Sequence, residues 1–203
     1  MSENDLRAAI VETCRRLEAE GLVAAASGNV SVRLPVSEGA ARFAITPSGV
    51  RYRELQPEQI ALIDCRGSTV SGRERPSSET PTHLAVYEAR ADAGAIIHTH
   101  SIHASALAVT GEAIPVIIDE QVVALSGRVS VAAYAASGTK ELARNVVAAL
   151  EDRRAVLLRN HGALGVGADL EEALDVVMFL ERLATTYALA RQIGEVRPLP
   201  RER

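Results

Sequence analysis

The segment Ala95-Ile96-Ile97-His98-Thr99-His100-Ser101 is an apolar run that ends in two histidines separated by one residue. Residues at i and i+2 of a β-strand leave the same face. The imidazoles of His98 and His100 are therefore expected side by side, near enough to share one metal ion. A third histidine, His161, follows another apolar run, Ala155-Val156-Leu157-Leu158, and a carboxylate, Glu79, closes Pro76-Ser77-Ser78-Glu79. Three imidazoles and a carboxylate form a ligand set for zinc or a similar divalent ion. We read the two apolar runs as adjacent strands, which brings the third ring to the other two. His83 and His103 fall on helices that follow Glu79 and the histidine strand, and are read as hydrogen-bonded or supporting side chains.

Small polar turns offer a second kind of chemistry. Ser77 and Ser78 stand at the entrance of a helix, where hydroxyls and free backbone N–H groups favour an anion. Gly28-Asn29 and Ser48-Gly49 are two more such turns at strand ends. Singly each is an ordinary turn; together the three can cradle a phosphate without lysine or arginine. Lys140 is the only lysine in the chain, and in Ser137-Gly138-Thr139-Lys140 it opens a helix and faces solvent. Imine chemistry needs a lysine in the site, so activation of a carbonyl is assigned to a metal.

The elements that must position these residues follow from periodicity and turn signals. Leu6, Ile10, Val11, Cys14 and Leu17 have helical spacing over residues 5 to 20, with Gly21 as the stop. Strands are expected over 30–34 and 42–45, joined by a hairpin loop at 35–40, and over 60–64, paired with one near Val70. Pro81 suits the first turn of a helix carrying His83, Leu84, Tyr87 and Ala91. The histidine strand at 95–100 leads into a helix over 102–109. Residues 112–135 give no clear pattern before a strand at 129–133. Helices over 139–150 and 170–192, the latter capped by Asp169, flank the runs 155–158 and 163–166. The tail beyond Gly194 is expected to be loose. Paired strands flanked by helices, without regular β-α-β spacing, indicate a mixed sheet with helices on its faces.

A chain of 203 residues, 47% hydrophobic and 24% charged, suits one domain spanning 1–203. A net charge of −4 with no basic stripe argues against nucleic-acid binding. The N-terminus lacks the features of a signal peptide, and no apolar run is long enough to span a bilayer, so no membrane role is expected. Cys14 and Cys65 are read as two buried thiols in a reducing compartment, which places the protein in the cytoplasm.

Five stretches in order, Ser27-Gly28-Asn29-Val30-Ser31, Ile45-Thr46-Pro47-Ser48-Gly49, Pro76-Ser77-Ser78-Glu79, His98-Thr99-His100 and Asn160-His161-Gly162, resemble the class II aldolase/adducin family over residues 5 to 190. The resemblance implies a single α/β domain of three α/β/α layers around a mixed, largely antiparallel sheet. It implies that His98, His100 and His161 hold a divalent ion, Zn2+ or alternatively Mn2+, and that Glu79 both approaches the metal and serves as acid/base. Gly28, Asn29, Ser48, Gly49, Ser77 and Ser78 match the family's substrate-phosphate loops, and a homotetramer with sites at subunit interfaces is implied. The expected reaction is cleavage of a phosphorylated ketose, similar to L-fuculose 1-phosphate, into dihydroxyacetone phosphate and an aldehyde through a metal-stabilised enediolate.

Departures from the family pattern bear on the reaction. A tyrosine that exchanges a proton with the aldehyde oxygen in fuculose-phosphate aldolases aligns with Asp119, so Asp119 or Glu120, from a neighbouring subunit, is the substitute considered. The stretch after Tyr187 lacks their C-terminal tyrosine region. Pentulose-5-phosphate 4-epimerases carry aspartate where this chain has Glu79, although Thr80-Pro81-Thr82-His83 resembles them; glutamate favours the aldolase and leaves the epimerase as the alternative. A non-catalytic, adducin-like interaction module is the alternative from another class, and such a module is expected to lose the metal ligands that this chain retains.

Overall fold

All five residues of the strand Ala95–Thr99 are buried, and the sheet extends outward from it on both sides. In the computed structural model, which describes residues 2–35 and 42–200, the chain runs in order through α1 (Glu3–Ala19), β1 (Asn29–Arg33), β2 (Arg42–Ile45), β3 (Ala61–Asp64), β4 (Thr69–Ser71), α2 (Thr80–Ala89) and β5 (Ala95–Thr99). There follow α3 (Ile102–Thr110), α4 (Asp119–Leu125), β6 (Ser130–Ala132), α5 (Lys140–Leu150), β7 (Ala155–Leu158), β8 (Gly162–Gly167) and α6 (Leu170–Ile193). The strands form one eight-stranded sheet in the order β4-β3-β2-β1-β5-β8-β7-β6. Every pairing is antiparallel except the parallel β6–β7 pair. The mixed, largely antiparallel sheet expected from the sequence is therefore present. The hairpin loop joining β1 and β2 falls largely on residues 36–41, outside the described residues.

Alternation along the strands divides the core into two faces. Ala95 and Ile97 point toward α1 and α6, packing with Val30, Leu62, Leu174 and Val177. Ile96 points the other way, toward α2 and α5, with Val86, Val146 and Leu164. Burying each isoleucine fully stabilises the fold by about 1.5–3 kcal/mol. A third apolar cluster sets α3 and α6 over β7 and β8. The result is three layers, α/β/α, with His98 on the same face as Ile96.

Local chemistry explains most helix ends. Ser2 and Asp5 form a reciprocal capping box, so α1 starts before its first apolar residue. Asp169 caps α6 through a 2.9 Å bond from Glu172 N–H, as expected, and Thr139 caps α5. Gly165 allows α6 to lie directly on the sheet, since a Cβ there would fall 2.6 Å from Val177 Cγ1.

Four expectations are corrected. The runs 95–100 and 155–158 are not neighbours, because β8 lies between β5 and β7; the hairpin that follows the second run supplies the strand that pairs with β5. Residues 119–125 form α4, which had no sequence signal. The tail is partly docked, with Val196 packed on the third cluster and Leu199 N–H donating to Val116 O at 2.8 Å. Cys14 is buried, but Cys65 is exposed in the turn after β3, because the apolar run it follows ends at Ile63. Both thiols are free.

Candidate metal centre and anion cavity

Strand register assembles the site. Antiparallel pairing sets Asn29 of β1 and Leu164 of β8 on either side of His98. His100 follows the end of β5, where its N–H donates to Leu22 O at 3.1 Å. His161 sits in the tight turn between β7 and β8, made possible by Asn160 at φ 56°, a left-handed conformation that asparagine tolerates. Gly162 must be glycine for the rings to approach: a Cβ there would lie 2.3 Å from Thr99 O and 3.2 Å from His98 Cε1. Glu79 is the N-cap residue of α2, and Pro81 falls in the first turn as expected.

The four side chains converge. Ring centroids of His98, His100 and His161 are 4.7, 4.8 and 5.0 Å apart in pairs. Their ligand nitrogens lie within 4.8 Å of one another, and the described residues contain no other such group of three or more histidines, cysteines or carboxylates. Glu79, 4% exposed, places Oε2 3.2 Å from His98 Nε2 and Oε1 3.3 Å from His161 Nε2.

These residues fit a cation on the chemistry of the donors. His98 Nδ1 is 2.8 Å from Ala163 O, which only accepts, so Nδ1 carries the proton. Its Nε2 then presents a lone pair 2.9 Å from His100 Nε2 and 3.2 Å from a carboxylate oxygen. Burial holds His98 neutral, with its pKa pushed down to about 3, and burial also lowers His100. For Glu79, burial works against the charged form, yet the carboxyl is held below its ordinary pKa, with the Ser137 hydroxyl donating to Oε1. The His98 lone pair, the facing ring nitrogens of His100 and His161 and the Glu79 carboxylate together make a donor set that suits a cation.

Beside the rings is a cavity of about 170 Å³. All six residues expected of the three polar turns line it: Gly28, Asn29, Ser48, Gly49, Ser77 and Ser78. The second and third turns are tied together, since Ser48 N–H donates to Arg75 O at 2.9 Å and Ser77 N–H donates to Thr46 O at 3.0 Å. No lysine or arginine is among the lining residues. A larger hollow of about 750 Å³, bordered by α2 and α5, holds none of the four converging residues.

Sequence reasoning missed Ser137. Its hydroxyl donates to Glu79 Oε1 at 2.5 Å and it lines the cavity. The signal was the small polar turn Ser137-Gly138-Thr139 at a helix entrance, of the same kind as the three recognised turns. Asp119 and Glu120 open α4, are largely solvent-facing and do not line the cavity of their own chain; Glu120 is 3.7 Å from Arg182. His83 is buried against β1, while His103 Nδ1–H donates to Glu181 Oε1 at 2.8 Å. Both are supporting side chains, as expected.

Burial also dictates how the metal-free protein responds to acid. His83 is depressed to about 4 and His98 to about 3, both below the unfolded value near 6.5. The unfolded chain therefore binds more protons than the folded one below pH 6.5, and stability falls as pH falls. Chelator-treated protein should lose stability progressively between roughly pH 6 and pH 4, by at most about 1 kcal/mol per pH unit for each of these histidines. Urea unfolding at pH 7, 6 and 5 checks this; an unchanged midpoint would mean that the rings are protonated in the fold.

The matched sequence family is the class II aldolase and adducin N-terminal domain, over residues 8–188. Among curated relatives, L-fuculose phosphate aldolase of Escherichia coli K12 is 37% identical over 202 residues, covering 98% of this chain and 89% of its own length. A 5-methylthioribulose-1-phosphate/5-deoxyribulose-1-phosphate aldolase of Rhodospirillum rubrum is 36% identical over 197 residues, covering 96% and 86%. Among solved structures, an L-fuculose 1-phosphate aldolase superposes with a TM-score of 0.92 at 38% identity, covering 98% of this chain and 92% of that one. The chain belongs to the class II aldolase and adducin family.

Proposed function

We propose that this protein is a metal-dependent aldolase that cleaves a phosphorylated ketose resembling L-fuculose 1-phosphate into dihydroxyacetone phosphate and an aldehyde. The observation that carries this reading is the convergence of three imidazoles and Glu79 at one end of a cavity lined by three small polar turns. It is a class II aldehyde-lyase acting on a sugar phosphate, in keeping with the names of its relatives.

His98, His100 and His161 hold the ion, with Glu79 at its edge, and Zn2+ suits three imidazoles and a carboxylate. Bound there, a divalent ion supplies the positive charge that polarises the ketose carbonyl and offsets the charge of the enediolate left by carbon–carbon cleavage. Glu79 moves the proton on the enediolate carbon; Ser137 holds one of its oxygens in place. Gly28, Asn29, Ser48, Gly49, Ser77 and Ser78 bind the phosphate through N–H and hydroxyl donors, with Ser77 and Ser78 leading into α2. The proton lost from the hydroxyl that becomes the aldehyde oxygen goes to a second acceptor, for which we propose Asp119 or Glu120 of a neighbouring subunit in a homotetramer with sites at subunit interfaces. The exposed apolar residues Ile102 and Val123 are consistent with such a contact. No helix among the described residues is long and apolar enough to cross a membrane, and two free thiols favour a cytoplasmic location.

The aldolase names of the relatives favour cleavage over epimerisation, and the intact ligand set argues against a non-catalytic module. A screen of phosphorylated ketoses, beginning with L-fuculose 1-phosphate, should release dihydroxyacetone phosphate, and a chelator should abolish the release. Conversion of L-ribulose 5-phosphate to D-xylulose 5-phosphate without free fragments would establish the epimerase instead.

A further inference from the structure

We infer that His83 is a positioning residue: through a hydrogen-bond chain with one permitted direction it locks the Asn29 amide so that its N–H donors face the substrate's anionic group. The inference rests on the reading of the cavity as a sugar-phosphate site.

Four buried polar side chains lie in a row behind the cavity wall. Tyr87 Oη is 2.9 Å from Ser31 Oγ, Ser31 Oγ is 2.6 Å from His83 Nδ1, and His83 Nε2 is 2.5 Å from Asn29 Oδ1. Exposure of these residues runs from 1% to 4%. Strand pairing fixes the row, because Asn29 and Ser31 share the face of β1 that looks onto α2, where His83 and Tyr87 are one helical turn apart.

The chain could in principle run either way, since an imidazole has two tautomers and an amide can be turned over. The terminal tyrosine decides between them. If the protons ran from Asn29 toward Tyr87, the Ser31 hydroxyl would donate to Tyr87 Oη, leaving the phenol proton buried. Among the described residues that phenol has no other partner. In the opposite direction every proton is used: Tyr87 donates to Ser31, Ser31 to His83 Nδ1, and His83 Nε2–H to Asn29 Oδ1. A buried donor left without an acceptor is the costlier arrangement, so the second direction holds. Burial, which depresses the His83 pKa to about 4, keeps the ring in the neutral form that this chain requires. Asn29 Oδ1 is thereby committed to His83, and its two N–H donors are left for the cavity that Asn29 lines. In the turned-over amide, a carbonyl oxygen would face the phosphate and repel it.

Neutron diffraction from crystals of the metal-loaded protein reads these protons directly. The expected result is a deuteron on His83 Nε2, none on Nδ1, and the amide deuterons of Asn29 facing the cavity. A deuteron on Nδ1 or a turned-over amide overturns the inference. Steady-state kinetics with inorganic phosphate as competitive inhibitor gives an independent result. His83→Leu should raise KM for the ketose phosphate and the phosphate inhibition constant by about tenfold, with kcat within about threefold of wild type. His83→Gln, which keeps an N–H donor near the position of Nε2, should restore most of the loss. The Asn29→Ala/His83→Leu pair should bind phosphate no worse than Asn29→Ala alone. Additive losses, or a fall in kcat at unchanged KM, overturn the inference. Wild-type protein that neither cleaves a ketose phosphate nor is inhibited by phosphate would overturn the reading of the cavity itself, a result distinct from a wrong proton on His83.

Discussion

Glu79→Gln should purify with its divalent ion, fold normally, and turn over a ketose phosphate about 10²–10⁴-fold more slowly than wild type. Glutamine has nearly the size of glutamate and retains an oxygen that can accept from Ser137, which now reaches Glu79 Oε1 at 2.5 Å. The three imidazoles remain, so the ion is held, although less tightly without the carboxylate. What is lost is a group able to take up and return a proton at the reacting carbon. The carboxyl is held below its ordinary pKa with help from the Ser137 hydroxyl, the form that takes a proton from the reacting carbon in the condensation direction. In cleavage the same group must first gain the proton that it returns to the enediolate carbon, and glutamine can do neither. Turnover within a few-fold of wild type, measured beside metal content, would remove Glu79 from the proton transfer.

His98→Ala should release the ion and with it all measurable cleavage. This histidine is 1% exposed, lies at the centre of the sheet between β1 and β8, and has its proton fixed on Nδ1 by Ala163 O. Loss of a hydrogen bond behind a metal ligand already costs 10–100-fold in affinity; loss of the ligand itself should cost more than about 100-fold. Metal analysis after dialysis reads the effect, and circular dichroism separates it from unfolding. A variant that kept one ion per chain would show that the ion is bound elsewhere.

Much of this site was legible from residue order because its parts obey local rules. The i, i+2 histidines needed only a strand, and Glu79 needed only Pro81 to mark the helix start. The polar turns declared themselves by composition. What the sequence hid depended on packing between distant segments. His161 reaches the other rings through the β7–β8 hairpin, since β8 and not β7 pairs with β5; both runs are apolar, and nothing in their composition tells which is the neighbour. Helix α4 lacks an apolar stripe. Val122 and Val123 are exposed, and the segment is anchored by the fully buried Gln121, which bonds to Ile117 N, Pro115 O and Gly127 O. Ser137 escaped notice because a serine before a helix reads as part of a cap, and its bond to Glu79 joins residues 58 positions apart.

Anomalous diffraction at the absorption edge of the metal in the protein as purified tests the convergence of these side chains most directly. One peak per chain is expected, about 2.0–2.1 Å from a nitrogen of each of His98, His100 and His161, with a Glu79 oxygen next to it. Rings turned toward separate partners, with no peak among them in protein supplied with zinc, would contradict a metal centre here and leave the cavity without the charge its chemistry requires.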